Sequence, residues 1–339
     1  MLYFRADANS EIGTGHVMRC LSIAKAMRAK GYDCGFITAD DGAKQLLNGN
    51  DFDVICLDSE WNDLESEIDK LNSLIKHKKI SNILIDSYFV TDKYLSNLRQ
   101  TTKVIYIDDI DKFIYPVDIL INYNIYAENM PYRKNYSQHN TRLLLGCDYA
   151  PLRFEFREIV PYIEEEVKDI LISTGGADSY NIAGYLLEYF EECKACSHIN
   201  FHVIVGNFNI NKDKLNSLAQ KYENIILHNN VVEMSKIISS CDIVISAGGT
   251  TLYEICACGV PAISYSLADN QLEGVKEFDR LDIIYYAGDI RDNLRQCLDN
   301  IFDRGNYLMS NYKLRTELSS RMKLLVDGYG ADRLIENII

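Results

Sequence analysis

Several absences narrow the field. No apolar run in the 339 residues approaches the roughly 20 that a membrane-spanning helix needs, so no integral membrane association is expected. The opening Met1-Leu2-Tyr3-Phe4-Arg5-Ala6-Asp7 has no basic segment followed by an apolar stretch, and no secretory signal is read there. Positive charge is in deficit: Lys+Arg 35 against Asp+Glu 49 leaves a net charge of −14. A nucleic acid or an anionic membrane needs a cationic face, so neither is an expected partner. Short-period repeats and low-complexity segments are missing as well. Zinc-ligand spacing is incomplete, because Cys193-x-x-Cys196 lacks a second such pair and Cys256-x-Cys258 is too closely spaced to be one. No metal and no cofactor are expected.

What is present is an ordinary globular composition, 47% hydrophobic and 25% charged, which excludes a disordered chain. The length suggests two domains. Most of the ten cysteines, such as Cys20, Cys34, Cys56, Cys241 and Cys256, sit in apolar stretches. Free thiols behave there as small hydrophobes, which points to a reducing, cytoplasmic setting.

Short β-rich runs alternate with helix-length segments. Leu2–Arg5, Cys34–Thr38, Val54–Leu57, Asn82–Asp86 and Val104–Asp108 read as strands, with helical spacing over Asp63–Lys79 and Asp92–Gln100. Several of these strands are nearly all apolar, as expected of a parallel sheet covered by helices on both faces. Between about Asp111 and Pro161 the pattern loosens into Tyr, Asn and Pro, which reads as a crossover. Alternation then restarts with Asp169–Ser173, a turn at Gly175–Asp178 and a helix over Asn181–Glu192. Strands at Phe201–Val205, Asn224–Leu227, Asp242–Ser246, Pro261–Tyr265 and Asp282–Tyr286 follow, and a helical end from Arg291. The expected fold is α/β, two doubly wound parallel-sheet (Rossmann-like) domains over 1–160 and 161–310 with a helical tail over 311–339.

In such sheets ligands bind beyond the carboxyl ends of strands, so the strand-to-helix turns carry the candidates. The first, Gly13-Thr14-Gly15-His16-x-x-Arg19, opens a helix whose apolar face is Val17, Cys20, Leu21 and Ala24. Glycines let a ligand approach the backbone. At a helix N-terminus the dipole disfavours imidazolium, and a neutral His16 is a general base near neutral pH. A glycine turn with a capping histidine is the plainer reading. Met18 stands where a dinucleotide fingerprint needs its third glycine. The second turn is Ser246-Ala247-Gly248-Gly249-Thr250-Thr251-Leu252-Tyr253-Glu254. Helix N–H groups and threonine hydroxyls there suit a diphosphate, and Glu254 could accept from two ribose hydroxyls, unless it is simply an acidic residue in a first helical turn. The third, Ser173-Thr174-Gly175-Gly176-Ala177-Asp178, reads equally well as a ligand turn or as a plain turn with Asp178 as N-cap. Asp86-Ser87-Tyr88 and Asp269-Asn270-Gln271 are weaker candidates of the same kind. Asp109-Ile110-Asp111 has the spacing of a metal-holding pair but reads better as a solvated acidic loop. His77, His139, His198, His202 and His228 read as surface or packing residues.

Taken in order, Gly13-Thr-Gly15-His16-Val-Met-Arg19-Cys20-Leu21-x-x-Ala24, Asp86-Ser-Tyr88, Gly146-x-x-Tyr149-Ala-x-Leu-Arg153-x-x-Phe156, Gly175-Gly-x-Asp178, Ser246-Ala-Gly248-Gly-Thr-Thr-x-x-Glu254 and the closing Gly328-Tyr-Gly330-Ala-Asp-Arg333 resemble the PseG family. Its members are hydrolases of UDP-2,4-diacetamido-2,4,6-trideoxy-β-L-altropyranose in pseudaminic acid biosynthesis, and share the GT-B fold with MurG. The resemblance implies two domains facing each other across a cleft and a metal-independent, inverting cleavage of the anomeric C–O bond that releases UDP. His16 matches the catalytic histidine. Gly13, Gly15, Arg19, Asp86, Tyr88, Arg153, Asn270 and Gln271 match the sugar side. Gly175, Gly176, Asp178, Gly248, Gly249, Thr250, Thr251 and Glu254 match the nucleotide side. A monomer acting on a UDP-sugar is expected, and the Phe89-Val90-Thr91 run leaves the exact sugar open. A transferase of the same fold, in spore-coat or surface polysaccharide assembly, is the alternative, and a non-catalytic sugar-nucleotide-binding module a third.

Overall fold

Near-continuous apolar runs build two parallel sheets in the computed structural model, which describes residues 1–9, 11–193, 198–206 and 208–339. The first contains β1 (Leu2–Ala6), β2 (Cys34–Thr38), β3 (Val54–Cys56), β4 (Asn82–Asp86), β5 (Lys103–Ile107), β6 (Ile119–Asn122) and β7 (Arg142–Leu145), in the order β3-β2-β1-β4-β5-β6-β7. Helices α1 (Gly15–Ala29), α2 (Lys44–Asn48), α3 (Ile68–Lys78), α4 (Asp92–Leu98) and α5 (Tyr132–Asn135) connect them. The second holds β8 (Asp169–Ser173), β9 (Asn200–Val205), β10 (Ile225–Asn229), β11 (Ile243–Ala247), β12 (Ala262–Ser266) and β13 (Tyr285–Asp289), in the order β10-β9-β8-β11-β12-β13. Its helices are α6 (Ile182–Cys193), α7 (Lys212–Lys221), α8 (Met234–Ser239), α9 (Thr251–Cys258), α10 (Asp269–Arg280), α11 (Leu294–Met309) and α12 (Tyr312–Leu325), and α13 (Gly330–Ile338) ends the chain.

Every strand pair is parallel. Each sheet reverses its winding once, between β1 and β4 in the first and between β8 and β11 in the second. At these switch points the turns leaving neighbouring strands diverge and open a crevice. Registers Ala6↔Asp86 and Ser173↔Ser246 place the ends of those strands side by side.

Two compact units result, Met1–Phe154 with Gly328–Ile339, and Glu155–Asp327. The sequence reading sets its boundary at 160/161 and keeps 311–339 apart; the structure gives α12 to the second unit and α13 to the first. Arg315 of α12 explains the first assignment. Its fully buried guanidinium donates to Leu308 O at 2.6 Å and Glu164 O at 2.7 Å, satisfying carbonyls at the end of α11 and in the incoming chain. Ala331, Leu334, Ile335 and Ile338 explain the second, because they are buried on one face of α13. Lys30, just past α1, pairs with Asp332 at 3.2 Å. At Gly330 a Cβ would lie 2.1 Å from Ala150 O, so only glycine lets α13 begin there.

The strand reading holds within a residue or two for most elements, with two differences. The stretch read as a crossover contains β6 and β7, four residues each, which complete the first sheet. The last strand begins at Tyr285 rather than Asp282, because Asp282 takes φ +50° to close α10 and the N–H groups of Ile283 and Ile284 bond back to Phe278 O. The expected buried thiols are buried at Cys20, Cys34, Cys241 and Cys256, while Cys56 is half-buried. Cys196 and the Cys193 side chain lie outside the described residues.

Candidate active site

At the first switch point, α1 starts beside the end of β4. Gly13 takes φ +70° and bonds its N–H to Asn9 O at 2.9 Å, closing a tight loop that delivers His16 in the first helical turn. Residue 16 meets residue 86 through the sheet: His16 Nδ1 lies 2.6 Å from Asp86 Oδ1, and Asp86 is 1% exposed. A carboxylate acceptor at Nδ1 selects the tautomer with its proton there and leaves the lone pair on Nε2. Arg19 Nη2 also approaches Nδ1, at 3.3 Å. The shorter contact to the carboxylate decides the tautomer, since a guanidinium only donates.

Arg19 ties this pair to a wider set. Its Nε and Nη2 hold Asp86 bidentately at 2.5 and 2.6 Å, and its Nη1 donates to Asp109 Oδ2 at 3.0 Å and Tyr123 Oη at 3.1 Å. Tyr88 donates its hydroxyl to Asp109 Oδ2 at 3.0 Å and sets its ring edge-on to His16, with centroids 4.7 Å apart. Burial opposes the charge on Asp86, but Arg19 and His16 outweigh it and hold its carboxyl down to about 2. Burial, reinforced by Asp109, pushes the Tyr88 phenol well up, so Tyr88 is a neutral donor.

Two buried networks lie beside this site. In one, Arg5 holds Glu67 bidentately at 2.7 and 2.8 Å and Asp7 at 2.5 Å, while Tyr94 and Ser59 complete Glu67. In the other, Asp108 accepts from Tyr115 Oη and Ile110 N at 3.0 and 3.1 Å, and from Tyr132 Oη, fixing the turn that carries Asp109. Sequence reasoning passed over both. The signal for the first was available: an arginine inside a strand buried on both faces demands carboxylate partners.

Asp109 is therefore not a solvated loop residue; its oxygens serve Arg19, Tyr88 and Asn124. Asp111 makes no pair with it and donates its N–H to Asp108 at 3.0 Å. Among the described residues, no group of three or more His, Cys, Asp or Glu could hold a metal ion, and no helix is long and apolar enough to cross a membrane. His202 and His228 do have partners: they bond to each other at 2.9 Å, and His202 Nε2 reaches Asp169 at 2.9 Å. Burial, with His202 alongside, lowers His228. Arg153 is half-buried near the end of the first unit's long segment.

The second switch point is built differently. Gly248 bonds its N–H to Tyr265 O at 2.7 Å, and a Cβ on it would strike Val275 Cγ1 at 2.6 Å. Gly249 faces open space, and α9 follows at once with Thr250 at its N-cap and Glu254 half-buried in its first turn. The first N–H groups of a helix have no intrahelical acceptor and attract anions. Across the switch point Gly175 takes φ +83°, and Gly176 O accepts from Phe208 N at 3.2 Å. The carboxylate of Asp178 accepts from Ile182 N at 2.7 Å and Ala183 N at 3.3 Å, so it serves as the helix cap. Gln271 Oε1 accepts from Leu267 N at 2.9 Å, while Asn270 is exposed at the start of α10.

Residues 170–281 match the glycosyltransferase family 28 C-terminal domain. Across 99% of this chain and 98% of the other, the fold is similar to that of MurG from Acinetobacter baumannii, with a TM-score of 0.67 at 15% identity. The fold is GT-B. Among curated relatives, the UDP-2,4-diacetamido-2,4,6-trideoxy-β-L-altropyranose hydrolase of Campylobacter jejuni is 28% identical over 68% of this chain and 80% of its own length. The spore coat polysaccharide biosynthesis protein SpsG of Bacillus subtilis is 24% identical over 97% and 95%. A third relative, the uncharacterized protein MJ1062 of Methanocaldococcus jannaschii, is 28% identical over 79% of this chain, which spans only 55% of that protein's length.

Proposed function

We propose that this chain hydrolyses a UDP-linked 2,4-diacetamido-2,4,6-trideoxy sugar at the anomeric C–O bond, with inversion and without a metal, releasing UDP and the free sugar. The observation that carries the proposal is the pairing of His16 with Asp86. A histidine whose Nδ1 proton is held by a buried carboxylate presents Nε2 as a base. Nε2 takes a proton from water, the water oxygen bonds to the anomeric carbon, and the bond from that carbon to the phosphate oxygen breaks, its electron pair leaving with UDP. Asp86 steadies the imidazolium so formed. For UDP itself, the turn that starts α9 offers N–H donors and hydroxyls at Gly249, Thr250 and Thr251 that suit the diphosphate charge, and Glu254 suits the ribose hydroxyls. Arg153, Asn270 and Gln271 serve the sugar in this scheme. The hydrolase of Campylobacter jejuni, similar to this chain at 28% identity, supports the reading.

A sugar hydroxyl could replace the water, and the likeness to SpsG and to a glycosyltransferase domain favours that second reading. One experiment separates them. The purified chain is incubated with the UDP-diacetamido sugar, no acceptor and excess EDTA, and followed by NMR. The hydrolase releases UDP and the inverted free sugar at an unchanged rate with or without chelator. UDP release only when an acceptor is added makes it a transferase, and inhibition reversed by Mg²⁺ brings Asp109 and Asp111 back as a metal pair.

A further inference from the structure

Arg19 stands in the sequence motif as a sugar contact, but its guanidinium is committed elsewhere. Each of its three nitrogens bonds to a carboxylate, Nε and Nη2 to Asp86 and Nη1 to Asp109, and its side chain is only 10% exposed. Asp109 is shared in turn: Oδ2 takes Arg19 and the Tyr88 hydroxyl, while Oδ1 takes Asn124 and, at 3.2 Å, the same Arg19 nitrogen. We propose that Arg19 and Asp109 are positioning residues that couple Tyr88 to His16, Asp109 orienting the phenol and Arg19 setting how much of the Asp86 charge is left for the imidazole.

Charge counting gives the coupling its sign. Asp86 and Asp109 bring two negative charges and Arg19 one positive, so the set is one positive charge short of neutral until His16 binds a proton. The groups that face His16 are Asp86 at the end of β4, Arg19 of α1 and Tyr88 after β4; behind them, Cys20 of α1 touches Asp86, and Asp109 and Tyr123, in the turns after β5 and β6, touch Arg19. Removing Asp109 subtracts negative charge and frees Arg19 to draw more on Asp86, which disfavours imidazolium. Removing Arg19 does the opposite. Tyr88, already donating to Asp109, has only acceptor lone pairs left for a ligand. It therefore selects a ligand group that donates, such as an amide N–H or a hydroxyl.

The catalytic half of this inference rests on the hydrolase reading; the coupling itself does not. The test labels histidine ring nitrogens with ¹⁵N in the full chain, assigns the His16 signal by its loss in His16→Asn, and titrates each variant by NMR without substrate. Asp109→Asn, nearly isosteric and still an acceptor for Tyr88, is expected to lower the His16 midpoint by about 1 pH unit, and Arg19→Gln to raise it by about 1. Tyr88→Phe, which takes one neutral donor from Asp109, raises it by a smaller amount. Should Arg19→Gln not fold, Arg19→Lys replaces it; the charge stays but one planar fork no longer bridges two carboxylates, so the midpoint stays near wild type while kcat falls about tenfold. In turnover, the acid limb of kcat is expected to follow the same opposite directions with KM held within about twofold. Superimposed titrations of wild type and Asp109→Asn, or midpoints that move the same way in Asp109→Asn and Arg19→Gln, overturn the coupling. A wild type that never releases UDP overturns the hydrolase reading instead, and the titrations still decide the coupling.

Discussion

The two switch points hold the same place in two similar sheets and are furnished in opposite ways. At the first, between β1 and β4, charged side chains converge: His16, Arg19, Asp86 and Asp109 are bonded to one another and largely buried. At the second, between β8 and β11, the turns hold Gly175, Gly176, Gly248, Gly249, Thr250 and Thr251, and the polarity is mostly that of backbone N–H groups and threonine hydroxyls, with Asp178 spent on capping α6. Side chains locked by ion pairs hold one atom, Nε2 of His16, in a fixed tautomer and direction, which suits a step at a single bond. Backbone N–H groups at a helix start offer several weak donors together, which suits a diffuse charge such as a diphosphate. On the proposed function, one topology carries both a reactive point and an anchoring surface, and the residue type at the strand ends decides which.

The sharpest break of this contrast is His16→Asn. Turnover of the UDP-diacetamido sugar should fall by about 10²–10⁴-fold, with the dissociation constant of UDP unchanged by calorimetry. Activity near wild type would take the reactive point away from the first unit. Glu254→Ala is the reciprocal change. UDP binding should weaken by about 10–100-fold, the effect of losing hydrogen bonds to a charged acceptor, and an unaltered affinity would remove the ribose role.

A glycine pair sharpens the picture of the anchoring surface. Gly248→Ala drives a methyl into the stiff, buried Val275 and should destabilise the second unit by about 1–3 kcal/mol in thermal melts. Gly249→Ala meets open space and should shift stability by less than about 0.5 kcal/mol, yet fill room that the phosphates need, so UDP binding weakens without a lower melting point. If Gly249→Ala binds UDP like wild type, the phosphates do not sit on that turn.

A further contrast between the two units concerns acid. Asp86 titrates near 2 in the folded chain, below its unfolded value, so its contribution is present above about pH 4 and is lost as the pH falls toward 2. The loss is on the order of 2 kcal/mol, read by urea unfolding at stepped pH. Asp86→Asn should flatten that part of the pH dependence, and an unchanged slope would show that the ion pairs do not carry it. Asp178 in the second unit has the opposite sign, since burial raises its carboxyl and acid does not weaken the fold through it.

Much of the fold was legible because parallel strands buried on both faces announce themselves as apolar runs. β2, β4 and β8 were read with the ends they have. β6 and β7 were missed because four residues among tyrosines and asparagines give periodicity too little length to work on. The site was half legible. His16, Asp86 and Tyr88 each stood out at a strand or helix end, but Asp109 was set aside as solvated and Arg19 assigned to the sugar. The two are linked 90 positions apart in sequence, and nothing local to either one records the other.

The sequence by itself determined the α/β class, the two units, and which turns carry glycine, histidine and threonine, because those depend on local spacing and on what a strand must bury. Tertiary structure alone decided who pairs with whom. Winding the first sheet outward from β1 and back to β4 brings His16 against Asp86 across 70 positions. Once water is excluded there, each charge must find its partner among the neighbours the topology supplies, and those neighbours fix the imidazole.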